Sequence, residues 1–278
     1  MDKDITSNYT QIEGVKIHYL KAGVGKTILL IHGWPTSSYL WRDLIPDLST
    51  KYQVIAIDLP GFGNSDKSPQ DSYSFRYYKR IIDGLLVELG VEKVILGVHD
   101  LGGPIGLYWA VQDLTKVKAL ILFNTLVYAD FSWAVKLFAF MTIAPGFSHW
   151  LSSPGGIKWA IRFGVYQKDK LNDEIIQAYQ APFAAKESRK ALLKSIQRLS
   201  MKGYREIEDK LPSYQGPVQV LFGEKDKILP KVKQTMERVK NDLPQTKITS
   251  LSNCGHFLQE EEPGLLSSSI LSFLEANL

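Results

Sequence analysis

Short runs dense in β-branched and aliphatic residues alternate along this chain with longer stretches in which apolar positions recur every three or four residues. The short runs predict strands near residues 8–13, 15–22, 27–32 (TILLIH), 53–58, 93–99, 117–123, 217–222 and 247–252. The longer stretches predict helices over Tyr39–Leu48, Ser74–Leu89, Gly103–Gln112, Lys231–Asn241 and Leu265–Ala276, with Pro and Gly at the joins. Strand alternating with helix gives a mostly parallel sheet covered on both faces.

The alternation stops from Leu126 to about Leu211, where aromatic-rich and helix-forming stretches run without a strand. This interval reads as an inserted helical cap. The chain then divides into a core of residues 1–124 and 213–278 and a cap of residues 125–212. An insertion after the strand ending at Phe123 and Asn124 sits above the carboxyl ends of the strands, where open α/β sheets bind their ligands. No internal repeat, low-complexity tract or flexible linker interrupts the chain.

Composition narrows the partners more than it identifies them. The chain has 278 residues, 45% hydrophobic, enough for a large single core. Its net charge of +4 is scattered, so neither nucleic acid nor membrane is expected as a partner. Met1–Thr10 is polar with no apolar stretch behind it, and a cytoplasmic location is expected. The most apolar region, Phe131–Phe147, is interrupted by Lys136 and Pro145 and falls short of the ~20 residues that span a bilayer. Cys254 stands alone, so no disulfide, cysteine-based metal site, metal or cofactor is expected.

The stretch Lys93–Gly103, KVILGVHDLGG, runs an apolar strand into a tight turn with Asp100 at its apex. Gly102 and Gly103 let the following helix approach closely. A carboxylate lifted over a sheet edge in this way can attack a saturated carbon and leave an alkyl ester, where a serine would form an inert ether. The ester needs an activated water. His256, on the loop NCGHF after the last strand, supplies a general base, and Asp226 of LFGEKD supplies the acid that orients it, with Glu224 as the rival. Backbone N–H groups of Trp34, in HGWP, and of Leu101 are placed for an oxyanion hole. Plainer readings stand beside these: Asp100 as a helix N-cap, His256 as a packed core histidine, and Asn124 as either a strand-end cap or a pocket-lining amide. His99 reads as buried support for its neighbour. Lys21–Thr27, KAGVGKT, imitates a phosphate loop but has Leu20 where glycine is needed, and no GxSxG exists in the chain.

The chain order Asp100, Asp226, His256 resembles that of the α/β-hydrolase fold family, in the branch with an aspartate nucleophile: haloalkane dehalogenases and epoxide hydrolases. Asp58–Asp66 (DLPGFGNSD) is similar to that family's loop after its fourth strand. Val98–Leu107 and Tyr179–Arg189 (YQAPFAAKESR) are similar to haloalkane dehalogenases. The resemblance implies an eight-stranded, mostly parallel sheet with a helical cap. It also implies a cofactor-independent hydrolase that cleaves a carbon–halogen bond of a small apolar substrate with water, as a monomer or homodimer. Two departures stand out. Leu101 replaces the tryptophan that grips halide in dehalogenases, and Trp34 stands where many carry Asn or Glu, so its indole is a candidate donor with Trp133, Trp150 or Trp159 of the cap as a second. HGWP is common in epoxide hydrolases, which also use cap tyrosines as acids; Tyr128, Tyr166, Tyr179 and Tyr204 are available. The candidate pocket is Trp34, Asn124, Tyr128, Trp150 and Tyr204. A homologue that binds ligands without turnover is the alternative of another class.

Overall fold

A computed structural model of the protein describes residues 5–278. Eight strands form one sheet: β1 (Thr6–Ile12), β2 (Val15–Ala22), β3 (Thr27–Ile31), β4 (Gln53–Ile57), β5 (Val94–Asp100), β6 (Val117–Thr125), β7 (Val218–Gly223) and β8 (Thr246–Leu251). Their order is β1-β2-β4-β3-β5-β6-β7-β8, with β2 antiparallel to both β1 and β4 and every later pairing parallel. All eight expected strands are present, with ends shifted by at most two residues. The continuous apolar runs of β3 and β5 are buried at every position, as strands covered on both faces must be.

The helices follow their local signals. Ser74 caps Phe75–Glu88 by accepting from the Tyr77 N–H, and the apolar stripe of Tyr78, Ile81, Ile82 and Leu85 is buried. The expected helix Tyr39–Leu48 is instead a 3-10 turn, Ser38–Trp41, and a short α-helix, Ile45–Leu48. Pro46 explains the break, since it has no N–H to bond the carbonyl of Arg42.

Between β6 and β7 the chain forms six α-helices: Trp133–Ile143, Phe147–Leu151, Pro154–Gly164, Asp173–Gln180, Lys186–Gln197 and Met201–Lys210. This inserted segment carries no strand. Among the described residues no helix is long and apolar enough to cross a membrane. The order reverses at β3, which has β4 on one side and β5 on the other. The carboxyl ends of β3 and β5 therefore flank a topological switch point, the natural ligand position of such sheets.

Candidate active site

Asp100 ends β5 at φ 50°, a left-handed conformation that a non-glycine residue adopts only when its surroundings enforce it. Those surroundings are specific. The Thr125 hydroxyl donates to the Asp100 carbonyl at 2.7 Å. A Cβ on Gly102 would lie 2.4 Å from the His32 carbonyl oxygen, and one on Gly103 would collide with Thr125, so only glycines let the helix Gly102–Ala110 start this close to the sheet. A Cβ on Gly33 would sit 2.3 Å from the Asp100 Cβ.

The loop after β3 is fixed from within. His32 Nδ1 donates to the Gly33 carbonyl at 2.9 Å, and its Nε2 accepts from the Leu59 N–H at 3.1 Å, which defines the tautomer. Burial holds this imidazole below its ordinary pKa, and hence neutral. So braced, the loop aims the Trp34 N–H at Asp100 Oδ1, 2.7 Å away. His32 belongs to the expected HGWP segment, but its bracing contacts are long-range and have no signature in sequence.

The other carboxylate oxygen faces the imidazole. His256 Nε2 lies 3.3 Å from Asp100 Oδ2, out of line for a hydrogen bond. On the far side of the ring, Nδ1 meets Asp226 Oδ2 at 2.8 Å. Asp226 Oδ1 accepts the backbone N–H groups of Ile228 and Leu229 at 2.8 and 2.7 Å, and Oδ2 also accepts from Asn124 Nδ2 at 2.5 Å. Asn124 is fully buried; its Oδ1 accepts from the Gly223 N–H at 2.9 Å. It is therefore neither a simple strand cap nor a pocket wall, and instead joins the end of β6 to the acid after β7. Glu224, the rival acid, is exposed.

The loop carrying His256 is fastened on three sides. His99 Nε2 donates to the His256 carbonyl at 2.9 Å, and the His256 N–H donates to the Gly164 carbonyl at 2.7 Å. Glu261 Oε1 accepts from the Gly255 N–H at 2.7 Å, while its Oε2 accepts from Tyr166 and Gln167 in the inserted segment at 3.0 and 2.8 Å. Nothing in the sequence marked Glu261.

Charge is distributed unevenly across this array. Burial alone raises the Asp100 carboxyl, but His256 more than offsets it and, with His99 and the Leu101 N–H, holds Asp100 below the ordinary carboxylate range. For His256, burial favours the neutral ring; the Asp226 charge and the Asp100 carboxylate outweigh it and raise the imidazole well above its usual value. Burial and the neighbouring His256 depress His99 to about 3, so it stays neutral. Burial pushes the Cys254 thiol up to about 12, which keeps it unreactive.

The candidate pocket residues separate. Tyr204 is buried between Phe75 and Phe131, and its hydroxyl makes no hydrogen bond to a described residue. Burial, then the Asp100 charge, raises its phenol, so it remains protonated. Trp34 is buried against Phe138 with its indole N–H unpaired. Tyr128 does not stack with them, though it lines a small cleft beside Thr125 and Leu229: its hydroxyl donates to Asp242 at 2.6 Å and Arg238 lies over its ring. Nor does Trp150, half-exposed against Trp159 on the outer surface, or Tyr166, which is exposed. Tyr179 is taken by Glu260. Amphipathic aromatics in a helical insertion face inward or outward according to packing that sequence spacing alone did not resolve.

Asp100 as a whole residue is nearly enclosed, at 8% exposure. A cleft of about 20 Å³ beside Thr125, Phe131 and Leu229 has room for about one water. A depression of about 510 Å³ lies elsewhere, along Ser7, His18, Asp58 and Lys67. Among the described residues no three His, Cys, Asp or Glu side chains converge as metal ligands would.

A turn-borne carboxylate, a braced imidazole and a second acid beyond the carboxyl ends of the parallel strands β5, β8 and β7 define the α/β-hydrolase architecture. The chain belongs to this family: the model of the alpha/beta hydrolase fold matches residues 26–263. It is 31% identical to the uncharacterized hydrolase YugF of Bacillus subtilis over 95% of this chain and 96% of that one. It is 37% identical to a soluble epoxide hydrolase of a Corynebacterium species over 124 residues, 45% of this chain and 43% of that one. Its fold superposes on haloalkane dehalogenase DbeA of Bradyrhizobium elkani with a TM-score of 0.87 at 23% identity, covering 98% of each chain.

Proposed function

We propose that the protein is a cofactor-independent hydrolase that alkylates its own Asp100 and then hydrolyses the ester. The observation that carries this reading is the division of labour within one carboxylate: Oδ1 is held by the Trp34 N–H and Oδ2 is left toward His256. Oδ2 attacks a saturated carbon and the bond from that carbon to its leaving group breaks. Oδ1 becomes the ester carbonyl oxygen, already seated where an oxyanion forms in the second step. Alkylation also removes the Asp100 charge, one of the two that keep His256 protonated, so the ring releases its proton to solvent and becomes the base that deprotonates the attacking water. Hydroxide adds to the Asp100 carbonyl carbon, and collapse returns the carboxylate and expels an alcohol. Asp226, held by Asn124 and two backbone N–H groups, keeps the ring in register throughout.

For the leaving group, Tyr204 supports an epoxide: a neutral, unbonded phenol under the influence of Asp100 gives its proton to the opening oxygen and recovers one from water. The carbon–halogen reading implied by the dehalogenase resemblance is supported by the unpaired indole N–H of Trp34, although Leu101 offers no second donor. In both readings the substrate is small and apolar, in keeping with the aromatic and aliphatic surroundings. The test is intact-protein and peptide mass spectrometry of His256→Phe incubated with epoxides and haloalkanes. An epoxide adds its whole mass to the Asp100 peptide, a haloalkane its mass less the hydrogen halide. No adduct with either class overturns the ester mechanism and leaves a ligand-binding protein without turnover.

A further inference from the structure

The helix Trp133–Ile143 is apolar on both sides. Its inner side packs Val135, Phe138 and Met141 against the core. Its outer side presents Trp133, Leu137 and Phe140, at 71%, 49% and 58% exposure, in the i, i+4, i+7 spacing of a single stripe. A helix apolar all round is ordinarily enclosed by other protein or lipid. The next two helices pack on one another and continue the theme. Phe147 and Trp150 are exposed, Trp150 lies 5.5 Å from Trp159 between ring centroids, and Trp159 stacks on Phe163 at 5.0 Å. Scattered exposed hydrophobics are ordinary, but a clustered set rich in Trp and Phe marks an interaction face.

Charge identifies the occupant. From Phe131 to Lys168 the sequence holds Lys136, Lys158, Arg162 and Lys168 and not one Asp or Glu. All four cations are exposed; Asp130 and Asp169 border the segment, and the exposed Asp173 pairs with Lys158 and Arg162 at 3.6 and 3.9 Å, which leaves Lys136 with no carboxylate partner among the described residues. A second copy of the chain meeting this face across a two-fold axis would set cations against cations. Trp and Phe on the apolar side with Lys and Arg around them is the composition of a surface that lies in the interface of an anionic bilayer.

We infer that the outer face of the inserted helices seats on an anionic lipid surface, with Trp133, Phe140 and Trp150 in the acyl boundary and Lys136 and Lys158 at the headgroups. This replaces, for one local face, the expectation drawn from the scattered total charge that no membrane is involved. The inference is independent of the reaction catalysed, since none of these side chains is placed at Asp100.

The experiment is sedimentation of the full chain with vesicles of phosphatidylcholine alone or mixed with phosphatidylglycerol, together with tryptophan emission. Binding and a blue shift are expected with the anionic vesicles only, falling as salt is added. Lys136→Gln with Lys158→Gln weakens it roughly thirtyfold. Trp133→Glu with Phe140→Glu abolishes it while leaving the far-ultraviolet spectrum unchanged, as expected for exposed positions. Three results overturn the inference: no binding to anionic vesicles, equal binding to both compositions, or a stable dimer that the Trp133→Glu and Phe140→Glu changes dissociate.

Discussion

The Trp34 N–H donates a 2.7 Å hydrogen bond to Oδ1 of Asp100, and so makes the two oxygens of that carboxylate unequal. One is stabilised in place and the other is free toward the imidazole. The position of the N–H depends on Gly33, which approaches Asp100 more closely than any side chain permits.

Gly33→Ala is therefore expected to displace the nucleophile. With the reacting oxygen moved by about 1 Å, the alkylation rate falls on the order of a hundredfold. Single-turnover adduct formation in the His256→Phe background measures it directly, and an unchanged rate contradicts the geometry.

The response of alkylation to acid follows from the two groups beside the carboxylate. Asp100 attacks only as the anion, and its lowered pKa keeps it ionised as the pH falls. In His256→Phe the burial that raises the carboxyl remains while the imidazole that lowers it is gone. Adduct formation in His256→Phe is thus lost at a higher pH than the alkylation burst of the unsubstituted protein. Quenched-flow mass spectrometry across the acidic range reads both midpoints, and coincident midpoints refute the account.

Tyr204→Phe separates the two leaving groups. Loss of a general acid lowers turnover of an epoxide by on the order of 10² to 10⁴, with haloalkane turnover unaffected. Equal turnover of an epoxide by both proteins removes Tyr204 from the chemistry.

A fourth expectation concerns stability. Arg42 makes two 2.7 Å bonds to Glu260, which also accepts from the buried Tyr179 hydroxyl of the inserted segment. Arg42→Ala leaves that carboxylate buried without its cation, a loss of about 3 kcal/mol for a fully buried pair; the partial exposure of Arg42 brings it nearer about 2 kcal/mol. Urea unfolding of Arg42→Ala measures the loss, and Arg42→Met with Glu260→Met and Tyr179→Phe, which leaves no buried polar group unpaired, is expected to recover most of it.

The sheet was legible because each buried strand carries its own apolar run and ends at Gly, Pro or a polar turn. The turn at Asp100 was legible because two glycines and a strand announce it locally. What lay hidden is long-range. Arg42 and Glu260 are 218 positions apart, His99 and the His256 carbonyl 157, and Asn124 and Asp226 102. No spacing rule reaches across such distances. The aromatic residues between β6 and β7 posed a different difficulty: Tyr204 and Tyr128 are the same residue type and both are buried, and only packing leaves the hydroxyl of one unbonded and turns that of the other to Asp242.

Glu261 takes backbone N–H groups from Gly255, next to the imidazole, and from Tyr166 and Gln167 above it. The roof and the base are thus bolted together along one margin. The seating of the inserted segment and the alignment of the imidazole are therefore coupled through one side chain. A change of Glu261 to alanine would leave three backbone N–H groups without their acceptor, and the loop that carries the histidine would lose one of its fastenings to the insertion.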